Sequence, residues 1–266
     1  MCARRWELQS YSRQGREALE TAGRGNAGFD GEGIRGGFGP GRVAGDKQAV
    51  SSARADSPWL LTKKKSFVAV ERDTPENLER RKVFCALMRV IQEQRLVFID
   101  ESFCKTGMRR EFAWSRRGVR AVATKPQNNW KTVSIIGAIR RGHKPRLMTH
   151  RGSVNGAIFR RFVRKCLTPF LRRGDLVVMD NLNMHKSLAT RRLIEAAGAT
   201  PIYLPTYSPE LNPIELLWAH LKRQLRKLAI DSEPQLRRAV RQLRPRVPDS
   251  HIDGWFRRAL SHAQFN

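Results

Sequence analysis

The stretch Tyr203-Leu-Pro-Thr-Tyr-Ser-Pro-Glu-Leu-Asn-Pro-Ile-Glu215-Leu-Leu-Trp218 decides how this chain is read. It begins at the end of an apolar run, Ile202 to Leu204. Pro205, Ser208 and Pro209 then bar both helix and ladder, so a shaped loop follows. Asn212 is a good N-cap. Pro213 suits the first helical position, where its missing N–H is an orphan anyway. Ile214, Leu217, Trp218, Leu221, Leu225 and Leu228 recur at helical spacing and predict one buried stripe over a helix from Pro213 to about Leu228. Glu215 stands in the first turn. A glutamate three residues past the cap can reach back to the Asn212 backbone N–H, as in a capping box.

Two other carboxylates move the weight away from a simple cap. Leu96-Val-Phe-Ile-Asp100 and Leu176-Val-Val-Met-Asp180 are short apolar runs that each end abruptly in an acid. Such a pattern suits a buried strand that delivers a carboxylate at its C-terminal edge, where α/β sheets place their sites. A lone terminal aspartate is often only a turn former. Two of them together with Glu215 point to a cluster.

These residues and their flanks resemble the DDE transposases of the mariner superfamily, most closely the bacterial insertion-sequence branch. The words that carry the resemblance are Phe98-Ile-Asp-Glu101, Met179-Asp-Asn-Leu-Asn-Met-His-Lys-Ser187 and Leu204-Pro-Thr-Tyr-Ser-Pro-Glu-Leu-Asn-Pro-Ile-Glu215, followed by Trp218 and Lys222. Asp100, Asp180 and Glu215 match the triad, and 34 residues stand between the last two acids, the spacing that names the group. The resemblance runs from about Leu60 to the C-terminus. It implies a ribonuclease H-like α/β fold, a five-stranded mixed sheet flanked by helices. It also implies metal-dependent cleavage at transposon ends and transfer of the strand into target DNA, usually at TA. The alternatives are a non-catalytic DNA-binding remnant of a transposase and a host nuclease on the same fold.

Three crowded carboxylates repel one another unless a cation neutralises them. Hard oxygen donors suit Mg²⁺ or Mn²⁺, and two such ions about 4 Å apart can serve an in-line displacement at phosphorus. By resemblance, Asp100 bridges the two ions, Asp180 holds one and Glu215 the other. Glu101 points to the opposite face of the strand if the strand runs that far. Asn181 and His185 lie close behind Asp180 and are expected to support it by hydrogen bonding, with phosphate contact or proton transfer as a further role for His185. Trp218, one turn past Glu215, reads as core.

Charge fits a polyanionic partner. Lys and Arg number 51 against 24 Asp and Glu, a net charge of +27 spread along the chain. The obvious partner is double-stranded DNA. Steps of four, three and four residues put Glu215, Ala219, Lys222 and Arg226 on one helix face, so Lys222 and Arg226 are expected to follow the DNA backbone past the site. No stretch has the length of a signal peptide or a membrane span. Cys2, Cys85, Cys104 and Cys166 show no metal-ligand spacing and read as reduced, mostly buried thiols. The expected location is the bacterial cytoplasm, at the nucleoid, with no membrane partner. The family works as dimers.

The chain divides into three parts. Residues 1–56 hold 11 of the 20 glycines between Gly15 and Gly45 and no apolar period, so disorder is expected there. The family's helix-turn-helix module is not legible in that part and is expected to be missing. Residues 57–95 read as a linker, with lysines 63–65, and a covering helix from Pro75 to about Glu93 with Val83, Phe84, Leu87, Val90 and Ile91 inward. Residues 96–266 read as the catalytic domain with basic C-terminal helices. Its expected strands are 96–100, 111–115, 130–139, 175–180 and 200–204, with 148–151 as the tail of a further edge strand. Helices are expected over 153–168 and 186–197, the second closed by Gly198.

Overall fold

The computed structural model describes residues 69–124 and 130–264. The glycine-rich segment and the lysines at 63–65 lie outside the described residues. The chain enters through helix α1 (Pro75–Val90). It continues through β1 (Leu96–Lys105), β2 (Thr132–Ile139), β3 (Arg146–Arg151), α2 (Gly156–Phe162), β4 (Leu176–Met179), α3 (Leu188–Ala196) and β5 (Thr200–Tyr203). Helices α4 (Ile214–Leu228), α5 (Glu233–Leu243) and α6 (Asp249–Gln264) complete it.

The five strands form one sheet in the order β3-β2-β1-β4-β5. The first three run antiparallel, with Asp100 opposite Gly137. The last two lie parallel to β1, with Val97 beside Val177. This is the expected mixed five-stranded sheet, and β1 is its central strand. The alternation of β1 sends Leu96 and Phe98 to one face, Val97 and Ile99 to the other, and all four are fully buried. On the first face the core is closed by Phe84 and Leu87 of α1, Leu217, Trp218 and Leu221 of α4, Leu236 of α5 and Phe256 of α6. On the second it is closed by Phe159 and Phe162 of α2 and Ile194 of α3. Each such fully buried large side chain contributes about 1.5–3 kcal/mol.

One expected strand does not exist. Residues 111–115 lie in an extended loop between β1 and β2, with Phe112 and Trp114 exposed. Their apolar–polar alternation imitates a strand. The chain has already left the sheet at the turn after Lys105, where Thr106 and Lys131 exchange bonds and Gly107 donates to Ile230. The residues expected as the third strand are therefore β2, and those expected only as an edge tail form the complete strand β3.

Helix boundaries and faces shift in smaller ways. Helix α1 stops at Val90 rather than at Glu93, and Val90 is exposed while Cys85 and Met88 are buried. The helix expected over 153–168 is capped by Asn155 and passes into a π-helical turn, Val163–Leu167, which carries Val163 into the core beside Phe159 and Phe162. Leu228, expected in the buried stripe, is exposed, because α4 ends there with Ala229 in a left-handed conformation. Gly198 follows α3 at φ +78°, as its place after the helix requires. Cys85 and Cys104 are buried free thiols and Cys166 is half-buried.

Candidate active site

The three acids come from three elements. Asp100 lies within β1, Asp180 follows the last residue of β4, and Glu215 is in the first turn of α4. Asn212 holds the start of α4. Its Oδ1 accepts from the Ile214 N–H at 3.4 Å and its carbonyl accepts from the Glu215 N–H at 3.2 Å. The Asn212 N–H donates to the Pro209 carbonyl at 3.0 Å. Glu215 therefore makes no capping box and its carboxylate stands exposed. The loop ahead of it is anchored from below. Arg81 of α1, itself buried, donates to the Ser208 hydroxyl at 2.5 Å and lies 2.7 Å from Glu210 Oε1. Tyr207 in the same loop adopts φ +56°, a backbone state that costs a non-glycine residue energy and that clusters at functional loops.

Asp100 faces α4. Its Oδ2 accepts from the indole N–H of Trp218 at 2.9 Å. Trp218 is core, as expected, and also holds the acid. Gly137, across the ladder from Asp100, makes this possible. A Cβ there would lie 2.5 Å from the indole ring, so only glycine lets the ring lie against the sheet. The spacing of residues gives no sign of this pairing, because it depends on the register between β1 and β2.

Burial pushes the Asp100 carboxyl up to about 7; the indole bond opposes this, while Glu215 and Glu101 add repulsion. Partial shielding from solvent also pushes the carboxyl of the largely exposed Glu215 up, opposed by Lys222. Lys222 Nζ lies 5.4 Å from the centre of the exposed Phe103 ring. Lys222 and Arg226 are both half-buried and lower the Cys104 thiol that burial raises to about 11. The face carrying Glu215, Lys222 and Arg226 thus runs along the outer end of β1, apart from the buried stripe.

Glu101 faces the other way, as expected from the alternation. It meets His185, whose ring is fully buried against Phe159 at 4.3 Å between centroids. His185 Nε2 is 3.0 Å from Glu101 Oε1, and Nδ1 is 2.5 Å from Asp180 Oδ1. Burial disfavours the charged ring, but the bonds to Asp180 and Glu101 outweigh it and raise His185 to about 10. Asp180 Oδ1 also accepts from the Leu182 N–H at 3.2 Å. Asn181 is half-buried and makes no bond to Asp180 among the described residues.

The three acids offer only oxygen donors, the kind that hard divalent cations take. Glu215 raises the proton affinity of Asp100, as a neighbouring carboxylate does where no cation stands between them. Among the described residues, no three His, Cys, Asp or Glu side chains yet converge on one point as an ion would require. No helix among the described residues is long and apolar enough to cross a membrane.

Comparisons with known proteins bear on the family and the fold. The family described as DDE superfamily endonuclease matches residues 95–237. No curated protein matches. Among solved structures, the Mos1 strand transfer complex superposes with a TM-score of 0.63 at 19% identity, over 78% of this chain and 65% of that one. The mariner Mos1 paired-end complex with Mg gives 0.63 at 18%, over 77% and 66%. The isolated catalytic domain of the Mos1 mariner transposase gives 0.51 at 16%, over 77% of this chain and 95% of that domain. At such identities the likeness is one of fold, and this chain spans just under two thirds of the longer Mos1 chains.

Proposed function

The chain belongs to the DDE superfamily endonucleases, and from that we propose that it is a transposase catalytic domain of the mariner superfamily's bacterial insertion-sequence branch. Its reaction would be metal-dependent cleavage of DNA at transposon ends, followed by attack of the freed 3′-hydroxyl on target DNA. The observation that carries this reading is the Asp100 carboxyl. It is a half-buried acid on the central strand, raised to about 7, with Glu215 as a repelling neighbour and a neutral indole N–H as its side-chain hydrogen-bond donor. A purely structural carboxylate in that position would be expected to have an arginine.

Asp100, Asp180 and Glu215 would hold Mg²⁺ or Mn²⁺, two ions in all, which when bound would activate the attacking oxygen and stabilise the leaving one. The protein's own part is orientation. Trp218 fixes the rotamer of Asp100, Asn212 fixes the turn that presents Glu215, and His185 holds Asp180. Lys222 and Arg226 would lie on the phosphate backbone beside Glu215. The net charge of +27 supplies the wider attraction to DNA.

Strand cleavage in Mn²⁺ on a duplex carrying a transposon end tests the triad. Asp100→Ala, Asp180→Ala and Glu215→Ala should each slow cleavage about a thousandfold or more, since a metal ligand supports several kcal/mol of transition-state stabilisation. Near wild-type cleavage by any one of them removes that residue from the triad. Products joined into target DNA separate a transposase from a host nuclease, which would cleave without joining.

A further inference from the structure

Asp180 differs from the other two acids in what holds it. It stands just past the end of β4, without ladder partners of its own. Its side chain is held by two contacts, from Leu182 N–H and His185 Nδ1, and both fall on Oδ1. Among the described residues, no hydrogen bond or ion pair reaches Oδ2.

The ring of His185 is itself fixed on every side. Its face packs on Phe159, its Nδ1 edge meets Asp180, and its Nε2 edge meets Glu101 Oε1 at 3.0 Å. The peptide holds it too, for the His185 N–H donates to the Leu182 carbonyl and the Tyr203 hydroxyl lies 3.5 Å from the His185 carbonyl. Glu101 is 14% exposed at its side chain and the ring not at all. Glu101 follows Asp100 directly on β1, so the strand that carries one acid toward α4 carries the next toward the loop that carries another acid. The central strand is thereby linked to the end of β4 through a single imidazole.

We propose that Glu101 is a positioning residue that acts through His185 to fix the Asp180 carboxylate, with Oδ1 occupied and Oδ2 presented to a divalent cation. The proposal rests on the reading of Asp180 as a metal ligand. The geometry is that of the outer partners that orient metal ligands, whose loss commonly weakens metal binding about 10–100-fold. Glu101 itself touches neither cation nor DNA in this scheme. The bond it makes is spent on the far side of the sheet from Asp100.

Mn²⁺ binding to the full chain, followed by the electron paramagnetic resonance signal of the free ion, tests this without relying on activity. Asp180→Ala should abolish or strongly weaken binding at one site, which checks the underlying reading by itself. Glu101→Ala should weaken Mn²⁺ binding about 10–100-fold, and Glu101→Gln, which keeps an acceptor at Oε1, should restore most of it. In the Asp180→Ala background, Glu101→Ala should cause no further loss, because both changes act on one ligand. If Glu101→Ala does not fold, the pair Glu101→Leu with His185→Phe replaces both buried partners by apolar shapes and should show the same weak binding. Unchanged affinity in Glu101→Ala or in that pair overturns the proposal. So does an equal loss with and without Asp180, which would mark Glu101 as merely structural. Unchanged binding in Asp180→Ala overturns the metal reading and the proposal with it.

Discussion

Strand β4 is bracketed by two aspartates, and the two ends of the sheet treat their acids in opposite ways. At the entry of β4, Asp175 is almost fully buried and completely answered. It accepts from Arg140 Nη1 at 2.9 Å, Arg140 Nη2 at 3.0 Å and the Arg172 N–H at 2.6 Å. Arg140 goes on to bind the carbonyls of Phe170 and Gln94, so one planar guanidinium ties β2 to the approaches of β1 and β4. At the exit end, Asp100 is half-buried with a neutral indole as its hydrogen-bond donor, Glu215 has only a lysine farther along its helix, and Asp180 shares a histidine with Glu101. A buried carboxylate given its own arginine serves the fold. The exit-end carboxylates, half-buried or exposed and without an arginine, fit the cation-binding role proposed for them.

The sharpest way to break this contrast is the same substitution at both ends. Asp175→Asn should destabilise the protein by about 3–5 kcal/mol, because the Arg140 guanidinium is left buried without a counter-charge. Asp100→Asn keeps an acceptor for the Trp218 N–H and removes a repelling charge. It should raise Tm by about a few degrees in chelator at pH 8, and abolish cleavage when assayed in Mn²⁺. Thermal melts of the two variants under one buffer decide the matter. If both lower Tm alike, Asp100 is a structural acid and the contrast fails.

A smaller effect sharpens the picture of the exit end. Lys222 and Arg226 lie beside Glu215 on the exposed side of α4, yet neither is fully solvated. Replacing both by Ala should weaken DNA binding and reduce the log–log salt slope by about one unit for each lost phosphate contact. Tm should move little. An unchanged slope, measured from low to moderate salt, would place the DNA elsewhere.

The smallest effect lies away from both ends, where α4 meets α6. His220 is buried, and its ring contacts His251 at 5.3 Å and Trp255 at 5.8 Å between centroids. Burial lowers its pKa below the usual histidine value, and His251, Arg223 and Lys227 lower it further. The folded state therefore favours the neutral ring. Its contribution is present above the unfolded value of about 6.5 and is lost as pH falls below it. Melting between pH 7 and pH 5 should show a smaller fall for His220→Phe than for the wild type. An equal fall would mean that other groups account for the acid sensitivity.

Much of this was legible from residue order alone. Ile202 to Trp218 spelled strand, rigid loop, cap and amphipathic helix, because proline, asparagine and 3.6-residue spacing act locally. The apolar runs before Asp100 and Asp180 marked two sheet strands for the same reason, although β1 does not end at Asp100 as expected but runs on to Lys105, paired with β2. The loop at 111–115 was misread because alternation shows a capacity to pair, whereas pairing needs a partner strand that only the folded chain supplies. The Trp218 bond to Asp100, the bare Gly137 beneath the indole, and the Glu101–His185–Asp180 contacts span 118, 84 and five residues or depend on register. Periodicity carries no information about such pairs. The sequence by itself determined which carboxylates exist and which elements deliver them. Only the tertiary structure decided what each carboxylate faces, because facing is set by how strands align and helices pack across the sheet.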